Sequence, residues 1–221
     1  MKLETRSIEN FDRIHLKDIG SLILTQGEQP ALTIEADEDL LSEIVTEVRQ
    51  GTLVLGLDDD WMGTVGKLIS SVFTNSDRKV NYYLTCVDLR EIKLSGKCDL
   101  GCESLSVNEL DLRVSGLSKL AINHLDCSKL EMHISGRGEF AAAGRADHQN
   151  IRISGSAEYQ APELASQSIQ IVISGQGNAT LRVAEDLDIT ISGLGQVNYY
   201  GRPKIRQVIS GIGKAKRLNE D

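Results

Sequence analysis

The dipeptide Ser-Gly recurs seven times, at Ser95-Gly96, Ser115-Gly116, Ser135-Gly136, Ser154-Gly155, Ser174-Gly175, Ser192-Gly193 and Ser210-Gly211. Successive copies lie 20, 20, 19, 20, 18 and 18 residues apart. A period this constant points to a solenoid, in which a short unit buries its apolar face only by stacking on its neighbours. The residues before each Ser-Gly alternate apolar and polar, as in Leu110-Asp111-Leu112-Arg113-Val114 and Leu187-Asp188-Ile189-Thr190-Ile191. That is a strand with one buried face. A second strand follows each glycine. Its fourth position holds Leu100, Leu120, Phe140, Tyr159, Ala179, Val197 and Ala215, and two residues further stand Cys102, Ile122, Ala142, Ala161, Leu181 and Tyr199. A third apolar stretch shows at Leu105–Val107 and near Leu125 and Leu164. Two or three short strands in 20 residues make one coil of a parallel β-helix; the helical half of a leucine-rich repeat is missing.

The repeated glycine marks a corner, where the chain needs either a positive φ or an approach too close for a Cβ. The serines are expected to stack as a ladder about 4.8 Å apart and to share hydroxyl hydrogen bonds. In the last coil Gln207 replaces an inward apolar residue, as the polar end of a solenoid requires. The first 80 residues lack Ser-Gly but keep strand patterns at Ile14–Leu16, Leu22–Thr25, Leu32–Ala36 and Thr52–Leu57. Asp37–Leu41 reads as one helical turn before a strand at Ile44–Arg49, and residues 58–79 as a loop or excursion. The expectation is one β-helix domain over 1–221, irregular coils over 1–80 and regular Ser-Gly coils over 81–221.

Composition narrows the function. The balance of 24 Lys+Arg against 32 Asp+Glu gives −8, and an acidic surface repels phosphate backbones, so no nucleic-acid partner is expected. Aromatics at 4% argue against a sugar-stacking cleft. No run reaches the ~18 apolar residues of a membrane-spanning helix. The opening Met1-Lys2-Leu3-Glu4-Thr5-Arg6 has no apolar stretch after its lysine, so no signal peptide is read there.

Catalytic motifs are absent: no Gly-x-Ser-x-Gly elbow, no His-Glu-x-x-His, and Gly66-Lys67 is followed by Leu68 rather than Ser or Thr. Cys98 and Cys102 would lie up to ~13 Å apart on an extended segment, too far to share a metal ion. His124 and Cys127 form a lone pair without further ligands. Cys86 and Cys127 are placed near one column but two coils apart, about 9.6 Å, beyond the ~7 Å reach of a disulfide. Asp58-Asp59-Asp60 lacks the spacing of a calcium loop. No cofactor and no metal is expected. The outward columns are more informative. Lys93, Arg113, His133 and Arg152 stand two residues before each serine; Glu91, Asp111, Glu131 and Asn150 stand four before. Stacking sets a basic column beside an acidic one, which reads either as a self-neutralising solvated face or as a docking stripe for a charged partner. Val172, Thr190 and Val208 continue it as a more apolar strip suited to weak self-association.

Several segments carry a further signal: the opening Arg6-Ser7-Ile8-Glu9-Asn10-Phe11-Asp12-Arg13-Ile14, Asp39-Leu40-Leu41, Gly51-Thr52-Leu53-Val54-Leu55, Tyr83-Leu84-Thr85, the repeated Ile-Ser-Gly-x-Gly, and Tyr200-Gly201-Arg202-Pro203. Together they resemble the putative auto-transporter adhesin family, also called the head GIN domain. The resemblance implies a right-handed, single-stranded β-helix, exported to the periplasm or cell surface, with no established activity and no catalytic residues to carry over. A native start at Met1 would instead imply a cytoplasmic location. The expected function is a non-enzymatic, adhesin-like interaction domain of the bacterial cell envelope whose partner is a protein or a surface glycan. A self-assembling scaffold is the alternative, and a polysaccharide-acting β-helix enzyme a more distant one. Such an enzyme needs grouped carboxylates beside an aromatic groove.

Overall fold

The computed structural model describes residues 1–57 and 79–219. The Asp58-Asp59-Asp60 run, Trp61, Gly66-Lys67 and almost all of the expected excursion lie outside the described residues. In chain order the elements are β1 (Lys2–Arg6), β2 (Arg13–Gln26), β3 (Ala31–Ala36), α1 (Glu38–Leu41), β4 (Ile44–Arg49), β5 (Thr52–Leu57), β6 (Asn81–Cys86), β7 (Glu91–Val114), β8 (Leu117–Ile134), β9 (Arg137–Ile153), β10 (Ser156–Ile173), β11 (Gln176–Ile191), β12 (Leu194–Tyr200), β13 (Lys204–Ile209) and β14 (Ile212–Arg217).

From β7 onward every pairing is parallel and follows sequence order, which is the expected solenoid. Each coil turns three faces inward. In β8 these are Ser118, Leu120 and Ile122; then Leu125 and Cys127; then Leu130, Met132 and Ile134, all buried. At Asn123-His124 and Ser128-Lys129 two successive residues face away from the core, and there the chain bends. Stacking turns sequence alternation into columns such as Val114–Ile134–Ile153–Ile173–Ile191 and Leu112–Met132–Ile151–Ile171–Ile189. Burying each such aliphatic contributes roughly 1.5–3 kcal/mol relative to exposure.

The Ser-Gly glycines are required by close approach, not by left-handed backbone; positive φ occurs instead at Gly20, Gly51, Gly144 and Gly201. A Cβ on Gly116 would sit 1.9 Å from the Gly96 oxygen, and one on Gly155 1.9 Å from the Gly136 oxygen. Nor do the serines share hydroxyl bonds along a ladder. Ser135 Oγ donates to Val114 O at 3.3 Å and Ser174 Oγ to Ile153 O at 3.4 Å, so each reaches a carbonyl of the preceding coil.

The first 80 residues depart from the expected loose coils. β2 is a true coil, parallel to β7 over twelve residue pairs. The layer beneath it is assembled out of sequence order, with β5 under the first half of β2 and β6 under the second. Beyond that the pairing turns antiparallel: β4 on β5, β3 on β6, β1 on β3. β4 and β5 are joined by Gln50-Gly51, φ 49° and 78°, the two positive values of a type I′ hairpin turn. This antiparallel cap covers one end of the solenoid. Among the described residues the other end carries no such cap. Ile205, Gln207 and Ile209 pair with the fully buried Leu187, Ile189 and Ile191, yet all three are exposed.

Candidate functional sites on the outer faces

The strand before each serine carries the predicted charged stripe. Register places His15 beside Lys93, Arg113 beside His133, and His133 beside Arg152. The backbone bonds Asp111 N to Arg90 O (2.8 Å) and Ser115 N to Leu94 O (3.0 Å) set the Lys93 segment under that of Arg113. The four predicted residues therefore share one column, next to Glu91, Asp111, Glu131 and Asn150. Much of the charge is neutralised locally. Arg113 reaches Asp111 at 2.6 Å and Glu91 at 3.7 Å, and Lys129 reaches Glu131 at 2.6 Å. The Lys129 hydrogen bond holds the Glu131 carboxyl below the usual carboxylate range, and Asp111 raises the Arg113 guanidinium. Burial, then Lys93 and Lys17, hold His15 below the ordinary imidazole value; its Nε2 lies 2.8 Å from Ser95 Oγ. Among the described residues Lys93 and Arg152 have no ion-pair partner.

Asp111, Glu131 and His133 each offer a ligand atom, all within 4.8 Å of one another, and Asp111 Oδ1 is buried without a hydrogen-bond donor. These three could hold a cation, although Arg113 and Lys129 already stand against two of them. The cluster crosses two coils, so only the stacking register brings it together. His124 and Cys127 do not form a pair: the first faces solvent and the second the core. All four cysteines are unbridged and buried.

The strand after each glycine carries a feature that sequence reasoning missed. Gly101, Ala121 and Ala141 stack in register on the outer surface and form the floor of a shallow groove of about 720 Å³. Asp99, Lys119, Glu139 and Glu158 form its charged rim, where Lys119 Nζ lies 2.8 Å from Glu139 Oε2. The available signal was small residues at a 20-residue period in an outward position.

The family described as putative auto-transporter adhesin, head GIN domain, matches residues 10–203. No curated protein matches the chain. Among solved structures, a putative adhesin from Bacteroides fragilis is 24% identical with a TM-score of 0.77, covering 98% of this chain and 97% of its own. A putative adhesin from Parabacteroides distasonis is 18% identical at a TM-score of 0.70, covering 98% and 96%. A protein from the same species named a putative lipid binding protein is 20% identical at a TM-score of 0.63, covering 99% and 96%. Similarity at this level establishes the shared fold. With most of the chain matched in sequence and nearly all of it in structure, the protein belongs to the putative auto-transporter adhesin, head GIN domain family.

Proposed function

We propose that the protein is a non-catalytic, adhesin-like binding domain of the cell envelope that holds an extended ligand, a peptide or surface glycan, in the groove over Gly101, Ala121 and Ala141. The groove itself carries the reading: small residues recur on successive coils between charged side chains, giving an apolar floor and a polar rim. The family membership supports the adhesin-like class. A second reading places an acidic ligand on the stripe of Lys93, Arg113, His133 and Arg152, favoured by Lys93 and Arg152, which have no ion-pair partner among the described residues.

An array of acidic and neutral bacterial polysaccharides and cell-wall peptides tests both. Ala121→Trp fills the groove, and its loss of a bound probe that Lys93→Glu/Arg152→Glu still binds supports the groove. The reverse pattern moves the site to the stripe. Retention of every probe by both variants would overturn the two assignments.

A further inference from the structure

Charge is distributed unevenly along the solenoid. Residues 202–217 contain Arg202, Lys204, Arg206, Lys214, Lys216 and Arg217 and no Asp or Glu. Residues 1–201 hold the other 18 Lys+Arg against 30 of the 32 Asp+Glu, a body of −12 followed by a last coil of +6, with Glu220 and Asp221 after it. Only Arg206 of these six has an ion-pair partner among the described residues, Asp188 at 2.7 Å. The same coil exposes aliphatic side chains: Ile212 is 77% accessible and Val208 64%.

The register arranges these groups. Val208 extends the outward column of Val172 and Thr190, and Ile212 stacks on Leu194, which is itself 48% accessible. Both columns flank the Ser-Gly corner, so the last coils form a convex aliphatic crest of Val208, Leu194 and Ile212. Lys204 and Arg206 descend one side, Lys214 and Lys216 the other. Three backbone donors at the corner of the crest are already satisfied. Ser210 N and Gly211 N donate to Ile191 O at 3.0 and 3.2 Å, and Ile212 N donates to Gly193 O at 3.0 Å. Contact with an apolar medium there leaves these three donors bonded.

We propose that this corner docks on the surface of an anionic phospholipid bilayer, the crest entering the headgroup boundary while the flanking cations meet lipid phosphates. A protruding aliphatic ridge bounded by lysines suits a deformable, negatively charged interface. It offers no pocket to a sugar and no stacking ring to a nucleic acid, whose phosphates the acidic body also repels. The surface lies in the last coils, further along the same outer faces that carry the two candidate ligand sites, and it shares no residue with either, so its test is independent of theirs.

Co-sedimentation with phosphatidylglycerol–phosphatidylcholine vesicles and with phosphatidylcholine vesicles provides the test. The protein should bind the first, lose binding as salt rises, and leave the second largely unbound. Each cation near such a surface strengthens binding by about fivefold, so Lys214→Glu/Lys216→Glu should weaken it by about 25-fold or more. Val208→Ser/Ile212→Ser should weaken it with charge unchanged, while Lys2→Glu/Lys79→Glu, at exposed positions of the capped end, should bind at least half as well as the parent. Circular dichroism identical to the parent shows that the variants are folded. Equal binding to both vesicle types, or binding unaffected by the crest and lysine variants, would overturn the proposal. So would a protein that ignores vesicles but sediments as a dimer dissociated by Lys214→Glu/Lys216→Glu, since a second copy would then cover the corner.

Discussion

Replacing Gly155 by alanine adds one methyl group and should be among the most damaging single changes in the chain. The new Cβ would stand 1.9 Å from Gly136 O, 2.4 Å from Ser135 O and 2.7 Å from Ser135 C, all backbone atoms that no rotamer change can move. A carbon–oxygen contact needs about 3.3 Å, so the two coils must part by about 1.4 Å at the corner. Three hydrogen bonds cross that corner: Ser154 N to Ile134 O at 2.9 Å, Gly155 N to Ile134 O at 3.2 Å and Ser156 N to Gly136 O at 2.9 Å. Stretched by that amount, none remains a hydrogen bond, and at about 1 kcal/mol each their loss comes to about 3 kcal/mol. Displacement of the buried Ile153 column adds overpacking strain of about 1–2 kcal/mol, for a total of about 4–5 kcal/mol. Gly101→Ala is the matched control. Its Cβ meets nothing within 4 Å, and the reduced freedom of the unfolded chain should leave stability unchanged or raise it by up to about 1 kcal/mol. Urea denaturation of the two variants beside the parent measures the difference. Equal midpoints for Gly155→Ala and Gly101→Ala would refute the argument that coil stacking, rather than backbone conformation, demands the repeated glycine.

Two further outcomes follow from the interior. Gln149 stands in a column otherwise built of Leu130, Ile169 and Leu187 because Tyr159 OH donates to its Oε1 at 2.5 Å and its Nε2 donates to Ser166 Oγ at 2.7 Å. Gln149→Leu should therefore cost about 1–3 kcal/mol, most of it recovered on adding Tyr159→Phe, and a double-mutant cycle in urea checks the coupling. The buried thiols give a pH dependence. Burial pushes Cys86 up to about 11 and Cys98 and Cys127 up to about 12, from an ordinary value of 9.0. Below that ordinary value the thiols are protonated in both states, and the stability this represents is fully present. Above it the unfolded thiols ionise and the folded ones do not, so thermal midpoints should fall as pH climbs from 9 toward 11–12. Replacing the three cysteines by alanine should flatten that part of the profile, and an unchanged slope would contradict the assignment.

Much of the solenoid was legible because its signals are periodic. Seven Ser-Gly pairs and strict alternation before them fix which side chains face inward, and residues such as Leu112, Met132 and Ile151 are buried as that alternation requires. The cap was not legible, because parallel and antiparallel strands share the same period of two. Thr52–Leu57 reads identically whether it stacks on β2 or pairs with β4, and it does both. β1 has almost no buried residue to announce it, and is held by its edge pairing to β3. The charged stripe was readable column by column because its members recur at one position of each coil. The cluster of Asp111, Glu131 and His133, and the groove over Gly101, Ala121 and Ala141, needed the third dimension. Each combines residues that are unremarkable in sequence and become neighbours only through cross-coil register.

That register is the central claim, and a cross-link tests it most directly. Glu158 and Asn178 are exposed partners on adjacent coils, and Glu158 and Thr180 are offset by two residues, a diagonal of about 7–8 Å. Cysteines at 158 and 178 lie within reach of a disulfide, while cysteines at 158 and 180 exceed the ~7 Å limit. Mild oxidation followed by non-reducing peptide mass spectrometry should show the 158–178 bridge formed in nearly every molecule and the 158–180 bridge in few. Equal yields, or a preferred 158–180 bridge, would contradict the stacking of these coils.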